Sequence, residues 1–210
     1  MSTYLLKLEF LSPWHVGSGL SAGAFADLLV NKDDNQLPIV PGKTLKGILR
    51  DALAQADCFG WFDERAGIEQ ATEQRSTIAE LLCGIPDQAA NGQGCMTISS
   101  ASLSAADKAL FAANDNDKLL YLNYSQTQID DKGCAKNMSL RSLEAVIPLT
   151  LYAELSFNPS PTNELLQELD YNRVVNTASQ WLEKCLPLIR QLGAFRNRGF
   201  GDVVVTFEKQ

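Results

Sequence analysis

Alternating apolar and polar residues mark several segments of the chain as strands. Tyr4 to Leu11, Ala145 to Phe157 and Asp202 to Phe207 each place apolar residues at every second position. Successive side chains of a strand point to opposite faces, so this period predicts strands with one face in the core. Met96 to Ser100 and Leu119 to Tyr124 predict two further short strands.

A period near 3.6 residues marks the helices. Thr44 to Ala56 carries four apolar residues on one face, which predicts an amphipathic helix: Leu45, Ile48, Leu49 and Leu53. Thr77 to Cys83 predicts a second helix. Residues 160–192 form a long helical stretch in which Pro187 predicts a kink or a break, because proline cannot donate the helical hydrogen bond.

The order of these elements is strand, helix, long insert, strand, helix, strand. It predicts an α+β protein in which a split βαβ, ferredoxin-like unit carries inserted segments. No repeat or long linker divides residues 1–210, so we expect a single domain. Residues 57–117 are the insert, and this segment is acidic and irregular.

The charge is distributed unevenly along the chain. The net charge is -7, and residues 57–117 hold ten acidic and three basic residues. The rest of the chain carries fifteen residues of each sign, so local basic surfaces are expected there. The acidic total therefore does not exclude a nucleic-acid partner.

The cysteines and the apolar runs narrow the setting. Five cysteines are scattered without a C-x-x-C pair, which excludes a zinc-ribbon spacing and argues against a disulfide framework. No apolar run reaches the roughly eighteen residues that a membrane span needs. The N-terminal residues lack the pattern of a signal peptide. We expect a cytoplasmic protein that does not bind membranes.

The stretch "LPIVPGKTLKGILR" combines a Pro-Gly turn with a cationic helix start. Lys43 and Lys46 lie in the first turns of the helix, where the macrodipole disfavours positive charge. Arg50 follows Lys46 by four residues, so these like charges repel unless an anion neutralises them. A phosphate held by the helix N-terminus explains this arrangement, and so do solvated surface lysines.

The stretch "LGAFRNRGFGDVVVTF" near the C-terminus combines glycine, arginine and phenylalanine. Glycine lets the backbone approach a ligand closely, and arginine side chains match phosphate oxygens. The phenylalanines Phe195 and Phe200 offer faces on which bases can stack. A tight turn with solvated arginines explains the same residues.

Taken together, these motifs resemble the RAMP proteins, the RNA-binding subunits of CRISPR interference complexes. The helix start "PGKTLKGILR" and the loop "RNRGFGDV" carry the resemblance, with "SPWHVGSG", "ELLCG" and "GCMTISSASL" between them. The segment "QIDDKGCAKNMSLRSLEAVIPLTLYAELSF" is similar to the repeated backbone subunit of type III complexes. It departs from that pattern at Asp131, where the family usually has arginine.

The resemblance implies a fold, partners and site residues. The fold is a ferredoxin-like, RRM-type palm with a projecting thumb hairpin, here residues 124–144. The partners are guide RNA, target RNA and other subunits of a type III complex, including copies of the chain or related RAMP proteins. The residues expected to bind RNA are His15, Lys43, Thr44, Lys46, Arg50, Lys132, Lys136, Arg141, Gly193, Arg196, Arg198, Gly199 and Gly201.

The resemblance also assigns target cleavage to Asp27, which matches the position of the family's catalytic aspartate. A carboxylate near a phosphodiester can hold Mg²⁺, with RNA phosphates completing its coordination. Two alternatives stay open. Asp27 is also suited to capping a loop in a catalytically silent RNA-binding subunit. The single histidine, His15, is suited to metal-independent cleavage by a repeat-processing endonuclease.

Overall fold

A computed structural model describes residues 3–21, 26–65, 77–85, 92–112, 116–158 and 170–209. These ranges contain six strands and four α-helices. The strands are β1 (Thr3–Phe10), β2 (Met96–Ile98), β3 (Tyr121–Gln126), β4 (Arg141–Val146), β5 (Thr150–Phe157) and β6 (Val203–Lys209). The α-helices are α1 (Gly42–Cys58), α2 (Thr77–Cys83), α3 (Ala105–Ala112) and α4 (Tyr171–Cys185).

Four strands form the main sheet, in the order β2-β5-β1-β6, and all neighbours are antiparallel. In the register, Leu6 of β1 lies opposite Ala153 of β5 and Phe207 of β6. The strands predicted at the two ends of the chain are therefore confirmed, and they are neighbours in one sheet. Segment 57–117 contributes β2 to this sheet and α2 to the packing beside α1.

The core lies between the main sheet and the helices α1 and α4. Every second residue of β1 is buried, and these side chains meet the apolar face of α1. A small apolar gap between β1, α1 and β6 confirms this contact, since Leu6, Leu45 and Val205 all line it. The period of two in the strand and the period of 3.6 in the helix thus define two matching apolar faces.

The predicted strand Ala145–Phe157 is wrong as a single element. Residues up to Val146 belong to β4, which pairs with β3 in a separate two-stranded sheet, and β5 begins at Thr150. Pro148 lies between them and has no N–H for a ladder. The Val146 N–H donates to the Trp14 carbonyl, whereas the Phe10 N–H donates to the Leu149 carbonyl. The chain therefore passes from one sheet to the other within three residues.

The helical predictions hold in outline. The helix α4 begins after Asp170, whose side chain accepts from the Asn172 N–H. It ends before Pro187, which lies in a short 3-10 turn, as the position of proline predicted. Residues 160–169 of the predicted stretch lie outside the described residues. None of the described helices is both long enough and apolar enough to cross a membrane.

Helix α3 follows "SLSA" and was not predicted. Ser104 accepts from the Asp107 N–H at 3.1 Å, and its hydroxyl donates to the Asp107 carboxylate at 2.7 Å. This reciprocal cap stabilises a helix whose sequence is too short to show a clear period.

Candidate functional site

Two adjoining cavities lie where the β3–β4 hairpin (residues 121–146) meets the glycine-rich loop (residues 193–201) that precedes β6. The first has a volume of about 470 Å³ and the second about 530 Å³. We call this region the hairpin–loop site. Three residues line both cavities: Gln126, Arg141 and Arg198. The first cavity also contains Lys136 and Met138, and the second contains Asp27 and Phe195.

Two arginines define the charge of the hairpin–loop site. Arg141 begins β4 and Arg198 lies in the loop, and both are exposed. Arg198 Nη1 donates to Gln126 Oε1 at 2.7 Å, and its guanidinium carbon lies 5.5 Å from the centre of the Phe195 ring. Neither arginine forms an ion pair with a described carboxylate. Both positive charges therefore remain available to an anion.

The glycine-rich loop is shaped by left-handed backbone at several positions. Phe195, Gly199 and Gly201 have φ of 60°, 79° and 77°. At Gly201 a side chain would also collide with the Leu192 carbonyl oxygen, and the Gly201 N–H donates to the Pro13 carbonyl. Gly193, with φ of 102°, lies in similar contact with the His15 carbonyl. Glycine is required at these two close approaches because no Cβ fits there.

Asp27 lies beside β4, at the rim of the second cavity, and its side chain is exposed. Its Oδ2 accepts from the Ser142 N–H at 2.7 Å and from the Ser142 hydroxyl at 3.4 Å. The Asp27 N–H in turn donates to the Ser142 carbonyl at 3.0 Å. Within the described part of the chain, Oδ1 has no hydrogen-bond partner. The carboxylate is thus fixed by one oxygen and open at the other.

A buried ion pair anchors the segment that carries Asp27. Glu144 of β4 accepts from Lys32 Nζ at 2.8 Å and from the Val30 N–H at 3.1 Å. Lys32 Nζ also lies 3.9 Å from the centre of the Tyr121 ring. Burial and the nearby Glu144 raise the pKa of the Tyr121 hydroxyl, so this ring stays neutral. This anchor was not predicted, although a carboxylate between the apolar residues Leu143 and Ala145 of β4 was a signal for it.

His15 is buried, contrary to what a catalytic role requires. Only 3% of its surface is exposed, and its Nδ1 lies 2.7 Å from the Glu144 carbonyl oxygen. Its backbone carbonyl accepts from the Ala194 N–H, and its ring contacts Phe195 at 6.1 Å between centres. His15 therefore joins the hairpin to the glycine-rich loop, and an RNA strand cannot reach it in this conformation.

The predicted cations of α1 lie on a different part of the surface. Lys43 is exposed, and Thr44 and Lys46 are half-buried. The N-cap residue Pro41 makes no side-chain hydrogen bond to the helix, whereas the Gly42 N–H donates to the Ser100 hydroxyl at 3.2 Å. Gly42 packs closely against the backbone of Ile98 and Ser99, so the helix start is fixed to the end of β2. Arg50 is half-buried, and its Nη2 donates to the Gly84 carbonyl.

Two more predicted cations are exposed at the edges of the site. Lys132 lies at the hairpin tip, where its N–H donates to Asp130 Oδ1 at 2.9 Å. Arg196 lies in the glycine-rich loop next to Arg198. The structure thus brings Asp27, Lys136, Arg141 and Arg198 to one site and leaves the α1 cations outside its lining. Gln126 and Phe195 complete the site, and nothing in their sequence context distinguished Gln126.

The open face of the main sheet has the opposite charge. It presents Lys7, Glu9, Glu154 and Glu208, and Lys7 is paired with Glu9 at 3.0 Å. Tyr152 is the aromatic residue of this face opposite Lys7. With three carboxylates and one amine, the face disfavours a phosphate backbone.

Metal ligands are sparse in the site. Within the described ranges, no group of three or more His, Cys, Asp or Glu side chains could hold a metal ion. Among the described residues, Asp27 is the only carboxylate that lines the two cavities. The protein therefore offers one carboxylate ligand, and a hard cation there requires further oxygens from a ligand such as a phosphodiester.

Comparisons with solved structures show which fold the chain shares. A chain of the cryo-EM structure of type III-B Cmr-beta in the apo state is 13% identical, with a TM-score of 0.63. The match covers 98% of this chain and 96% of that one. A chain of Cmr-beta bound to cognate target RNA is 16% identical, with a TM-score of 0.57, covering 99% of this chain and 61% of that one. No curated protein matches the sequence.

The family assignment rests on a match to a family model. The model of the RAMP superfamily matches residues 7–204, from β1 to β6. This range includes the α1 motif, the hairpin and the glycine-rich loop, which are the segments on which the resemblance was based. The chain belongs to the RAMP superfamily.

Proposed function

We propose that this chain is an RNA-binding backbone subunit of a type III CRISPR interference complex, which holds guide RNA and cleaves bound target RNA through Asp27. The observation that carries the proposal is the hairpin–loop site. There, cations from the hairpin and from the glycine-rich loop, which form no ion pair with a described carboxylate, line two cavities together with the exposed Asp27 carboxylate. Guanidinium groups bind phosphate oxygens well, and phosphate contacts dominate the affinity for single-stranded RNA.

The topology supports a ferredoxin-like palm with a thumb. The main sheet has the order β2-β5-β1-β6, and α1 and α4 connect β1 to β2 and β5 to β6. The β3–β4 hairpin is inserted between β2 and β5, and residues 125–138 at its end are all exposed. An exposed hairpin that carries Lys132 and Lys136 is suited to contact RNA, with sequence read by guide–target pairing rather than by the protein.

The charge of the sheet supports binding at the hairpin–loop site rather than on the sheet. Many RRM-type domains stack bases on aromatic residues of the sheet face. Here that face carries Glu9, Glu154 and Glu208, which repel phosphates. We propose that guide RNA follows the cationic side of the molecule. In this proposal the α1 cations Lys43 and Lys46 contact a further part of the guide RNA.

For cleavage, Asp27 has a fixed position and one open oxygen. The Ser142 N–H holds Oδ2, so Oδ1 is left for a ligand. Mg²⁺ fits this arrangement as a cation with one protein ligand and RNA phosphate oxygens. A bound Mg²⁺ would polarise the scissile phosphate toward attack by the adjacent 2′-hydroxyl, with the 5′-oxygen of the next nucleotide as the leaving group. Arg141 and Arg198 hold the neighbouring phosphates, and Ser142 keeps the carboxylate in place.

One observation favours a second candidate, a catalytically silent RNA-binding subunit. The bonds between Asp27 and Ser142 are those of a carboxylate that caps a loop against a strand. In that case the cations bind RNA as described, and Asp27 has a structural role. Metal-independent cleavage by His15 is not proposed, because this ring is buried and hydrogen-bonded to the backbone carbonyl of Glu144.

The assembled complex with guide RNA and labelled target RNA separates these candidates. Asp27→Asn keeps the capping oxygen and removes the charge, so we expect normal assembly and cleavage slowed by about two to three powers of ten. Asp34→Asn, an exposed aspartate in the turn before Pro38, is the matched control and should cleave at the wild-type rate. Cleavage should also stop when EDTA removes the divalent cation. Cleavage at the wild-type rate by Asp27→Asn would show that Asp27 is a loop cap and not catalytic, and no cleavage by the assembled wild-type complex would favour the silent subunit.

A further inference from the structure

We propose that Gln126 is a positioning residue, which holds Arg198 next to Arg141 so that the two guanidinium groups bind one RNA phosphodiester beside Asp27. This inference rests on the proposed RNA binding and adds a residue and a ligand position to it. Gln126 is the last residue of β3 and lies directly opposite Arg141 in the hairpin register. Its Oε1 accepts from Arg198 Nη1 at 2.7 Å. The side chain thus stands between the two arginines.

The shared lining of the cavities gives the ligand position. Gln126, Arg141 and Arg198 line both the cavity that contains Asp27 and the cavity that contains Lys136. A phosphodiester bound by both arginines therefore lies at the junction of the two cavities. Its neighbouring nucleotides extend toward Asp27 on one side and toward Lys136 on the other. The junction is where a chain of nucleotides must pass to occupy both cavities.

A glutamine is chemically suited to this role. An amide oxygen accepts a hydrogen bond from a guanidinium without cancelling its charge, whereas a carboxylate in the same place would neutralise it. Guanidinium has five N–H donors, and the bond to Gln126 uses one of them, which leaves the others for phosphate oxygens. The ring of Phe195 lies 5.5 Å from the Arg198 guanidinium carbon and restricts it from a second direction.

Fixing an arginine in advance strengthens binding by lowering its entropic cost. An exposed arginine has many rotamers, and ordering them on binding reduces the affinity. Arg198 lies in the glycine-rich loop and Gln126 in the hairpin, so their hydrogen bond also fixes the position of the loop relative to the hairpin.

A double-mutant cycle on the full chain tests the role of Gln126, with fluorescein-labelled single-stranded RNA of mixed sequence as the probe. Gln126→Ala should weaken binding by about 2- to 12-fold, the range for one net hydrogen bond. Its salt slope should stay unchanged, because no charge is lost. Arg198→Ala should flatten the slope by about 0.7. In the Arg198→Ala background, Gln126→Ala should have no further effect, since the two residues act as a unit.

Two further variants make the test specific. Gln126→Glu places a carboxylate against Arg198, so its salt slope should flatten by about 0.7 while the loop stays in place. Gln126→Met keeps the volume of the side chain and should match Gln126→Ala, which excludes a loss of packing as the cause. Gln180→Ala, at an exposed glutamine of α4, is the control and should bind like the wild type.

The outcomes distinguish this inference from the proposed function. If Arg198→Ala weakens binding but Gln126→Ala and Gln126→Met do not, Gln126 has no positioning role and the RNA-binding proposal stands. Fully additive effects of Gln126→Ala and Arg198→Ala would likewise overturn the inference. If the wild-type chain and the assembled complex both fail to bind RNA, the proposed function and this inference fall together.

Discussion

Loss of the Glu144 carboxylate should destabilise the protein more than any other single charge removal in the hairpin. Only 6% of this side chain is exposed, and it accepts from both Lys32 Nζ and the Val30 N–H. In Glu144→Ala both donors lose their acceptor. Removing one partner of a buried pair costs about 3–5 kcal/mol.

The expected value lies at the low end of that range. The Lys32 side chain is 22% exposed and keeps its contact with the Tyr121 ring, so water and the ring partly compensate its charge. The Val30 N–H is buried and loses its acceptor outright, which alone costs about 1–3 kcal/mol. We expect Glu144→Ala to lower the free energy of unfolding by about 3 kcal/mol. Glu144→Gln keeps an acceptor and should cost about half as much.

Urea denaturation followed by tryptophan fluorescence measures this effect. Trp14 is fully buried, stacks on Phe10 and pairs with Val146 at the base of the hairpin, so it reports on this region. Glu154→Ala is the matched control, because that glutamate lies on the exposed face of β5 and should change stability by about 0.5 kcal/mol or less. A loss below about 1 kcal/mol in Glu144→Ala, with an unchanged m-value, would refute the reasoning.

Four further predictions concern the glycine-rich loop, the thiols and the charges. Gly201→Ala should unfold the glycine-rich loop, because the added Cβ would collide with the Leu192 carbonyl. In Gly199→Ala the added Cβ faces open space, so only the left-handed backbone is strained and stability should fall by about 1–2 kcal/mol. Thermal unfolding of the two variants measures the difference. Burial raises the pKa of three thiols: Cys83 (to about 12), Cys95 (about 11) and Cys185 (about 12). At about pH 8, iodoacetamide should therefore modify the exposed cysteines and leave these three unmodified until the protein is denatured, as mass spectrometry can measure. Since unfolded thiols ionise near their ordinary pKa of 9.0, stability in denaturation experiments should fall as pH rises above 9.0. Lys7→Ala, on the open sheet face, should leave the RNA salt slope unchanged, while Arg141→Ala should flatten it by about 0.7.

The elements that sequence could predict are those with a complete apolar face. The strand β1, the helix α1 and the strand β6 each show their period over at least two turns or three alternations, and each contributes to one core. The break between β4 and β5 was missed because alternation continues through it. Only Pro148 indicated that the chain changes sheets there, and the pairing partners that decide the change are distant in sequence.

The site was predictable only in part, for a similar reason. Arg141 and Arg198 were identified from their motifs, but their approach depends on the fold, and Gln126 shows no local signal of its contact with Arg198. His15 was expected to bind RNA because it lies in the motif "SPWHVGSG". It is buried because Gly193 allows the loop backbone to pack directly against its carbonyl.

The central claim is that RNA binds at the hairpin–loop site and not on the open sheet face. Photo-crosslinking with RNA that contains 4-thiouridine, followed by mass spectrometry of the crosslinked peptides, measures this directly in the assembled complex. We predict crosslinks within the hairpin, residues 121–146, and within the glycine-rich loop, residues 193–201. Crosslinks concentrated at Lys7 and Tyr152 of the sheet face, with none at the hairpin or the loop, would contradict it.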